Sequence, residues 1–174
     1  MPRKIIVYIA TSADGYIARP DGDFSWLDRK GVEGDYGIAK FYRRVDTVIM
    51  GRATYEAALK MGQDGYPGIQ NYIFTRQPKA SSAPHIHFTA EDIGAFAQKI
   101  RREQGKHIWL VGGGQIIASF LDRGEIDEFI IHVIPLFIGE GIPLIQPRHR
   151  NVPLKLLRTR QYSDGVVRLH YRVG

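Results

Sequence analysis

Short runs of consecutive apolar residues alternate with longer stretches of helical apolar spacing along most of this chain. The runs Ile5–Ala10, Thr47–Met50, Tyr72–Thr75, His107–Val111 and Glu128–Val133 are rich in β-branched residues and apolar at nearly every position. Such runs predict strands covered on both faces, because a strand with one solvated face alternates instead. Between them, helical periodicity marks Tyr36–Arg44, Thr54–Lys60, Ala90–Arg102 and Gln115–Leu121. The last sets Ile116, Ile117, Phe120 and Leu121 on one broad face. Beyond Pro153 the pattern changes: Leu154–Tyr162 and Val166–Val173 nearly alternate and flank Ser163-Asp164-Gly165, a hairpin turn signal. The expected architecture is a three-layer α/β/α mixed sheet with a C-terminal antiparallel hairpin, in one domain spanning all 174 residues. Ligand sites of such sheets lie at the carboxyl ends of the parallel strands.

Composition narrows the chemistry. Hydrophobic residues make up 44% and charged residues 24%, the balance of a folded globular chain. The absence of cysteine excludes disulfides, thiolate metal sites and cysteine nucleophiles. The run Ile5–Ala10 is too short for a signal sequence, and the apolar stretch Ile108–Leu121 is broken by three glycines, well short of the roughly 18 apolar residues of a membrane helix. A cytoplasmic protein without membrane attachment is expected. A net charge of +6 suits phosphate-bearing partners. The basic pairs Arg43-Arg44, Arg101-Arg102, Arg148-His149-Arg150 and Arg158–Arg160 are scattered over different elements, so a nucleic-acid-binding module is the weaker reading. His85 and His87 share a strand face, but without clustered carboxylates or an H-E-x-x-H motif no metal is expected. Ser119 and Ser163 lie in no G-x-S-x-G elbow.

Candidate chemistry gathers at strand ends. His107–Val111 runs into Gly112-Gly113-Gly114 and then a helix. Glycines there let backbone approach a ligand closely and leave N–H groups at a positive helix end, although a tight structural turn has the same appearance. Met50-Gly51-Arg52-Ala53-Thr54-Tyr55-Glu56 repeats the arrangement, with a guanidinium and a hydroxyl added; its structural alternative is a capping Thr54 and a solvated Arg52. Phe74-Thr75-Arg76 is a third such strand end. Three phosphate-friendly ends on one sheet edge fit a dinucleotide, and two arginines favour a 2′-phosphate, hence NADPH over NADH. Neither G-x-G-x-x-G nor G-x-x-x-x-G-K-[ST] occurs.

Ala10-Thr11-Ser12-Ala13-Asp14-Gly15-Tyr16-Ile17-Ala18, Gly51–Glu56, Thr75-Arg76 and Val111-Gly112-Gly113-Gly114 resemble, in order, successive blocks of the dihydrofolate reductase-like superfamily. Ile134-Pro135-Leu136-Phe137-Ile138-Gly139-Glu140-Gly141 is similar to the P-x-x-x-G-x-G segment of riboflavin-pathway reductase domains and their stand-alone relatives. The resemblance implies that Ala10 and Ile17 line the nicotinamide, that Gly51, Arg52 and Thr54 hold the pyrophosphate, and that Thr75 and Arg76 flank the adenosine 2′-phosphate. Val111 and Gly112 to Gln115 would cover the remaining phosphate side, with a cis peptide at Gly112-Gly113.

The same resemblance implies an acid on the helix before the second strand. Counting back from Gly51 gives Asp35, as substrate-binding group or proton donor, against an ordinary N-cap role. Asp14 and Trp26 are candidate substrate contacts; an Asp-Gly turn and a half-buried packing tryptophan are their structural alternatives. The implied activity is hydride transfer from NADPH to a small heteroaromatic, a pterin or a ribosylamino-pyrimidine, of the 5-amino-6-(5-phosphoribosylamino)uracil reductase type. Without cysteine the chain holds no zinc deaminase module. A true dihydrofolate reductase and a non-catalytic NADPH-binding protein are the alternatives. The apolar terminal ribbon and the family habit imply a homodimer.

Overall fold

The computed structural model describes residues 2–30, 34–81 and 83–174. In chain order the elements are β1 (Ile5–Ser12), β2 (Tyr16–Ala18), a single 3-10 turn (Ser25–Leu27), α1 (Ile38–Tyr42), β3 (Val45–Gly51), α2 (Arg52–Lys60), β4 (Gln70–Phe74), β5 (Ile86–Thr89), α3 (Ile93–Arg102), β6 (His107–Gly112), α4 (Gly114–Asp122), β7 (Glu128–Ile134), β8 (Ile142–Pro143), β9 (Leu154–Gln161) and β10 (Val167–Val173). Eight strands form one sheet in the order β5-β4-β3-β6-β1-β7-β10-β9. From β5 to β7 every neighbouring pair is parallel; β10 runs antiparallel to β7 and β9 antiparallel to β10. The mixed sheet with a terminal hairpin is the arrangement the apolar pattern predicts.

Alternation along β1 shows how the layers assemble. Ile5 and Val7 point to one face, where Phe96, Ile100 of α3 and Ile117, Phe120 of α4 are fully buried against them. Ile6 and Tyr8 point to the other, where Phe41 of α1 and Tyr55 of α2 complete a second core. Each large side chain so buried contributes about 1.5–3 kcal/mol relative to exposure, and together they hold helices on both faces. At the amino ends of the strands, buried Arg3 binds Asp46, Thr47, Glu103 and the carbonyls of Ile100 and Lys106, which ties that edge with satisfied charges.

Local chemistry moves several boundaries. The helix expected over Tyr36–Arg44 is only Ile38–Tyr42, because Tyr36 (φ 53°) and Gly37 (φ 90°) are left-handed and Asp35 accepts hydrogen bonds from the Gly37 and Ala39 N–H groups. Of the glycine-rich stretch 31–37, residues Gly31, Val32 and Glu33 lie outside the described residues. Helix α3 starts at Ile93, not Ala90, since the Asp92 carboxylate caps it by accepting from Ala95 N–H at 3.0 Å. The expected β-α-β rhythm breaks after β4: the chain enters β5 with no helix between them among the described residues. The pattern also gives no sign of the small antiparallel pair β2–β8. This pair is packed so closely that a Cβ on Gly114 would run into the Pro143 carbonyl, and one on Gly141 into the Ala18 carbonyl. No helix among the described residues is long and apolar enough to cross a membrane.

Candidate active site at the carboxyl edge of the sheet

Two helices begin side by side where β3 and β6 end. Met50 pairs with Gly112, and a Cβ on Gly51 would lie 3.8 Å from Ile116 and 3.9 Å from the Gly112 carbonyl oxygen. The starts of α2 and α4 therefore flank one gap, each offering free N–H groups and a positive dipole end. A Cβ on Gly113 would meet Thr54 Oγ1 at 3.4 Å and Ile17 Cδ1 at 3.8 Å. Gly51, Thr54, Ile17 and Gly113 thus converge, although they come from four different elements or turns. The Gly112-Gly113 peptide is cis.

The three glycines of the turn differ in what requires them. Gly112 has φ 129°, which side chains rarely adopt, and Gly114 is fixed by the Pro143 carbonyl. Gly113 (φ −80°) and Gly51 (φ −77°) have ordinary extended backbones and only van der Waals neighbours. No packing reason demands glycine at either position. The backbone N–H groups at the two helix starts, with the Thr54 hydroxyl beside them, are hydrogen-bond donors of the kind an anion takes.

The other cofactor candidates sit around this gap with varied engagement. Thr54 is the third residue of α2 and does not cap it; Gly51 occupies the cap position. Arg52 is exposed and pairs with Glu56 at 3.0 Å across one helical turn, an interaction weak enough to exchange for a phosphate. Thr75 accepts from Gln77 N–H through its hydroxyl at 3.2 Å, and Arg76 is exposed beside it, past the end of β4. Val111 is half-buried, and Gln115 is exposed in the first turn of α4. Ala10 is half-buried near the end of β1, directly opposite His132 of β7.

The three substrate-side candidates divide. Asp14 accepts from Ile138 N–H (3.2 Å) and Gly139 N–H (2.8 Å), clasping the β1–β2 turn to the segment after β7. Its carboxyl is held below the usual range by the Ser12 hydroxyl and by these N–H groups. Trp26 lies in the 3-10 turn with its indole N–H buried and without a partner among the described residues. Asp35 uses one oxygen for Gly37 N–H and the other for Ala39 N–H, each at 2.8 Å. Those bonds hold its carboxyl below the usual range, so it is an ionised cap at neutral pH and not a stored proton.

Sequence reasoning missed a polar cluster next to Ala10. Tyr8 and Tyr162 both donate their hydroxyls to the Tyr36 carbonyl at 3.0 Å, and His132 Nε2 lies 3.3 Å from the same oxygen. The Tyr36 hydroxyl donates to Asp164, which also pairs with Arg29 at 3.1 Å. Burial pushes the His132 ring down to about 4, with the positive Arg168 adding to the effect, so it is neutral at physiological pH. Burial also pushes the Tyr8 hydroxyl up. Among the described residues no group of three or more His, Asp or Glu could hold a metal ion.

The family described as RibD C-terminal domain matches residues 3–168. The Bacillus subtilis (strain 168) protein YwjB is 42% identical over 173 residues, covering 98% of each chain. A riboflavin biosynthesis protein, so described provisionally, from Shewanella sp. PV-4 superposes with a TM-score of 0.87 at 24% identity, over 100% of this chain and 99% of that one. The Thermotoga maritima diaminohydroxyphosphoribosylaminopyrimidine deaminase/5-amino-6-(5-phosphoribosylamino)uracil reductase gives 0.74 at 16% identity, over 99% of this chain and 57% of that one. Dihydrofolate reductase from Enterococcus faecalis, complexed with NADP(H), gives 0.69 at 16% identity, over 98% and 96%. The fold is dihydrofolate reductase-like.

Proposed function

The chain belongs to the RibD C-terminal domain family, and from that membership we propose that it is a cytoplasmic NADPH-dependent reductase of a small heteroaromatic, of the riboflavin-pathway reductase type. The observation that carries the reading is the convergence of Gly51, Thr54, Ile17 and Gly113 on a gap between two helix starts. The Thermotoga maritima and Enterococcus faecalis proteins support it, the first named for uracil-derivative reduction and the second complexed with NADP(H). True dihydrofolate reduction is the second reading, and the likeness to the Enterococcus faecalis enzyme is what favours it.

In this reading the bound dinucleotide supplies the hydride. Gly51, Thr54 and Val111 to Gln115 hold its diphosphate through backbone N–H groups and a hydroxyl, while Arg52 leaves Glu56 to add charge. Thr75 and Arg76 recognise the 2′-phosphate. Ala10 and Ile17 set the nicotinamide against the end of β1, beside neutral His132 and the Tyr8 and Tyr162 hydroxyls that are bound to the Tyr36 carbonyl. Asp14 keeps the β1–β2 turn closed over this end, Trp26 borders the acceptor, and Asp35 enters as an ionised carboxylate able to accept from a heterocycle N–H. The exposed Leu154, Leu156 and Leu157 of edge strand β9 are the surface a homodimer would bury.

A titration of the purified protein with NADPH and separately with NADH, followed by nicotinamide fluorescence and thermal shift, tests the assignment. NADPH is expected to bind more tightly than NADH, with the preference reduced by Arg76→Ala and overall affinity reduced by Arg52→Ala. Absence of binding by either nucleotide would withdraw the reductase reading.

A further inference from the structure

Basic residues gather at the edge of the sheet opposite the candidate active site. Three neighbouring central strands, β3, β6 and β1, each begin directly after a basic residue. Arg43-Arg44 precede β3, Lys106 precedes β6, whose first residue is His107, and Arg3-Lys4 precede β1. Parallel strands start on the same side, and neighbours lie about 4.8 Å apart. Backbone bonds fasten these starts together: His107 N–H donates to the Arg44 carbonyl at 3.0 Å, and Ile108 N–H to the Lys4 carbonyl at 2.8 Å. Between them lies an open cavity of about 350 Å³ lined by Arg3, Arg43, Arg44, Gly105, Lys106 and His107, none of which carries a carboxylate.

The charges divide into a structural set and a free set. Arg3 is buried and spends its guanidinium donors on Asp46, Thr47, Glu103 and the carbonyls of Ile100 and Lys106. Asp46 also accepts from the Thr47 hydroxyl at 2.9 Å and, through its other oxygen, from Lys106 N–H at 2.7 Å, so both of its oxygens are committed. Gly105 makes room for that carboxylate, since a Cβ there would collide with Asp46 Oδ2. Lys4 pairs with Glu128. Arg43, Arg44 and Lys106, in contrast, are exposed and form no ion pair among the described residues. Three cations held around one cavity repel one another, and a bound anion removes that cost.

His107 adds a neutral donor. Its Nδ1 accepts from Lys4 N–H at 3.3 Å, which places the ring proton on Nε2. Burial, and after it the positive charges of Arg44 and Lys4, hold this ring below its usual range, so it is uncharged at neutral pH. Three cations and an N–H donor exceed what a single carboxylate balances. A phosphate ester carries about two negative charges at neutral pH and three strong acceptor oxygens, and a diphosphate has more of both. The cavity is at the small end of the range of ligand sites, about 300–1,000 Å³, which suits a small phosphorylated molecule. Arg101, which reaches the Arg3 carbonyl from α3, is neutralised by Glu125 and Asp127 and interrupts the basic surface on that side, whereas a nucleic-acid strand needs a continuous stripe.

We propose that the amino edge of the sheet holds a second ligand site, in which Arg43, Arg44, Lys106 and His107 take the phosphate group of a small phosphorylated molecule. The site does not depend on the reductase reading. Strand β6 has His107 at its start and Gly112 at its end, so its length, about 16 Å, keeps the cavity apart from the gap between α2 and α4.

The test is an NMR titration of the full chain that follows the His107 ring and the arginine Nε–H signals, because a phosphate entering the gap between α2 and α4 instead would leave the His107 ring unmoved. The probes are inorganic diphosphate, ribose 5-phosphate, ribose and a short oligothymidylate. Saturable movement of the His107 ring by a phosphate probe, and none by ribose, is expected. Lys106→Gln and the double variant Arg43→Gln with Arg44→Gln should weaken this binding about tenfold or more. Arg148→Gln, whose arginine pairs with Asp122 elsewhere, should leave it unchanged. Tighter binding of ribose 5-phosphate identifies the ligand as a phosphate ester, and tighter binding of diphosphate as a diphosphate; both support the site. Movement that does not saturate, or unchanged affinity in the double variant shown to be folded by thermal unfolding, overturns it. So does tighter binding of the oligothymidylate than of either small phosphate, which would make the surface a nucleic-acid contact. NADPH affinity measured on the same double variant should equal that of wild type, so the two sites are read separately and either can fail alone.

Discussion

Replacing Gly51 by alanine separates a packing requirement from a ligand requirement. The added methyl would sit at ordinary contact distance, 3.8 Å from Ile116 and 3.9 Å from the Gly112 oxygen, on a backbone with φ −77° and ψ 160° that alanine adopts freely. Alanine is a poorer helix cap than glycine, at a cost of up to about 1 kcal/mol. Burying one methyl group contributes about 0.8 kcal/mol in the opposite sense, and the stiffer unfolded chain roughly another 0.4–1 kcal/mol. Net stability should therefore change by less than about 1 kcal/mol. The same methyl stands in the gap between the starts of α2 and α4, where a diphosphate would need close backbone approach. NADPH binding should weaken at least tenfold, about 1.4 kcal/mol. Gly114→Ala is the contrasting variant: its Cβ collides with the Pro143 carbonyl, and overpacking of that kind costs about 1–3 kcal/mol. Urea unfolding and fluorescence titration of both variants give the two readouts. A stable Gly51→Ala protein that binds NADPH within twofold of wild type would refute the assignment of this gap to a diphosphate.

Phe120 is fully buried and meets Phe74 edge to face, so Phe120→Ala should cost about 3–5 kcal/mol in urea unfolding; a loss under 1 kcal/mol would mean that α4 is not part of the core. His132 has a folded-state pKa depressed from 6.5 to about 4, so the unfolded chain takes up a proton that the folded one refuses. Stability from this group is full above pH 6.5 and falls as pH drops toward 4, by on the order of 3 kcal/mol. His132→Gln should flatten that part of the profile, and an unchanged slope in unfolding measured from pH 7.5 to 4.5 would contradict the neutral assignment. Asp35 contributes its capping bonds while ionised, a contribution present above the ordinary carboxylate pKa and lost as pH falls through its lowered folded value. Asp35→Ala should lower the thermal midpoint at pH 7, with the gap to wild type narrowing in acid.

Five of the six parallel strands were legible because burial on both faces leaves a continuous apolar run that little else produces, whereas β5, at the edge of the sheet with two half-buried positions, was not among those runs. What escaped was set by contacts between distant segments. Strands β2 and β8, of three and two residues, are too short to carry a period and exist because two glycines let carbonyls approach. The glycine and arginine blocks at the strand ends were visible as blocks; which glycine needs its hydrogen side chain for conformation, for packing or for neither required the neighbours. The cross-strand pairing of the terminal hairpin is partly readable in retrospect. Symmetry about Asp164 at the hairpin turn sets Arg160 against Arg168, whereas the offset that brings His132 into line depends on how β10 docks against β7. Tyr36 carried no signal at all, since its role comes from a left-handed backbone inside what reads as helix.

The division of the sheet at β1 has a consequence for change over time and for redesign. Strand β1 pairs with β6 on one side and β7 on the other, so a change confined to the terminal hairpin β9–β10 reaches β1 only through β7. A library restricted to the hairpin positions Arg160, Tyr162 and Arg168 would therefore leave the ends of β3 and β6 untouched. A scaffold partitioned in this way can be altered one hairpin at a time.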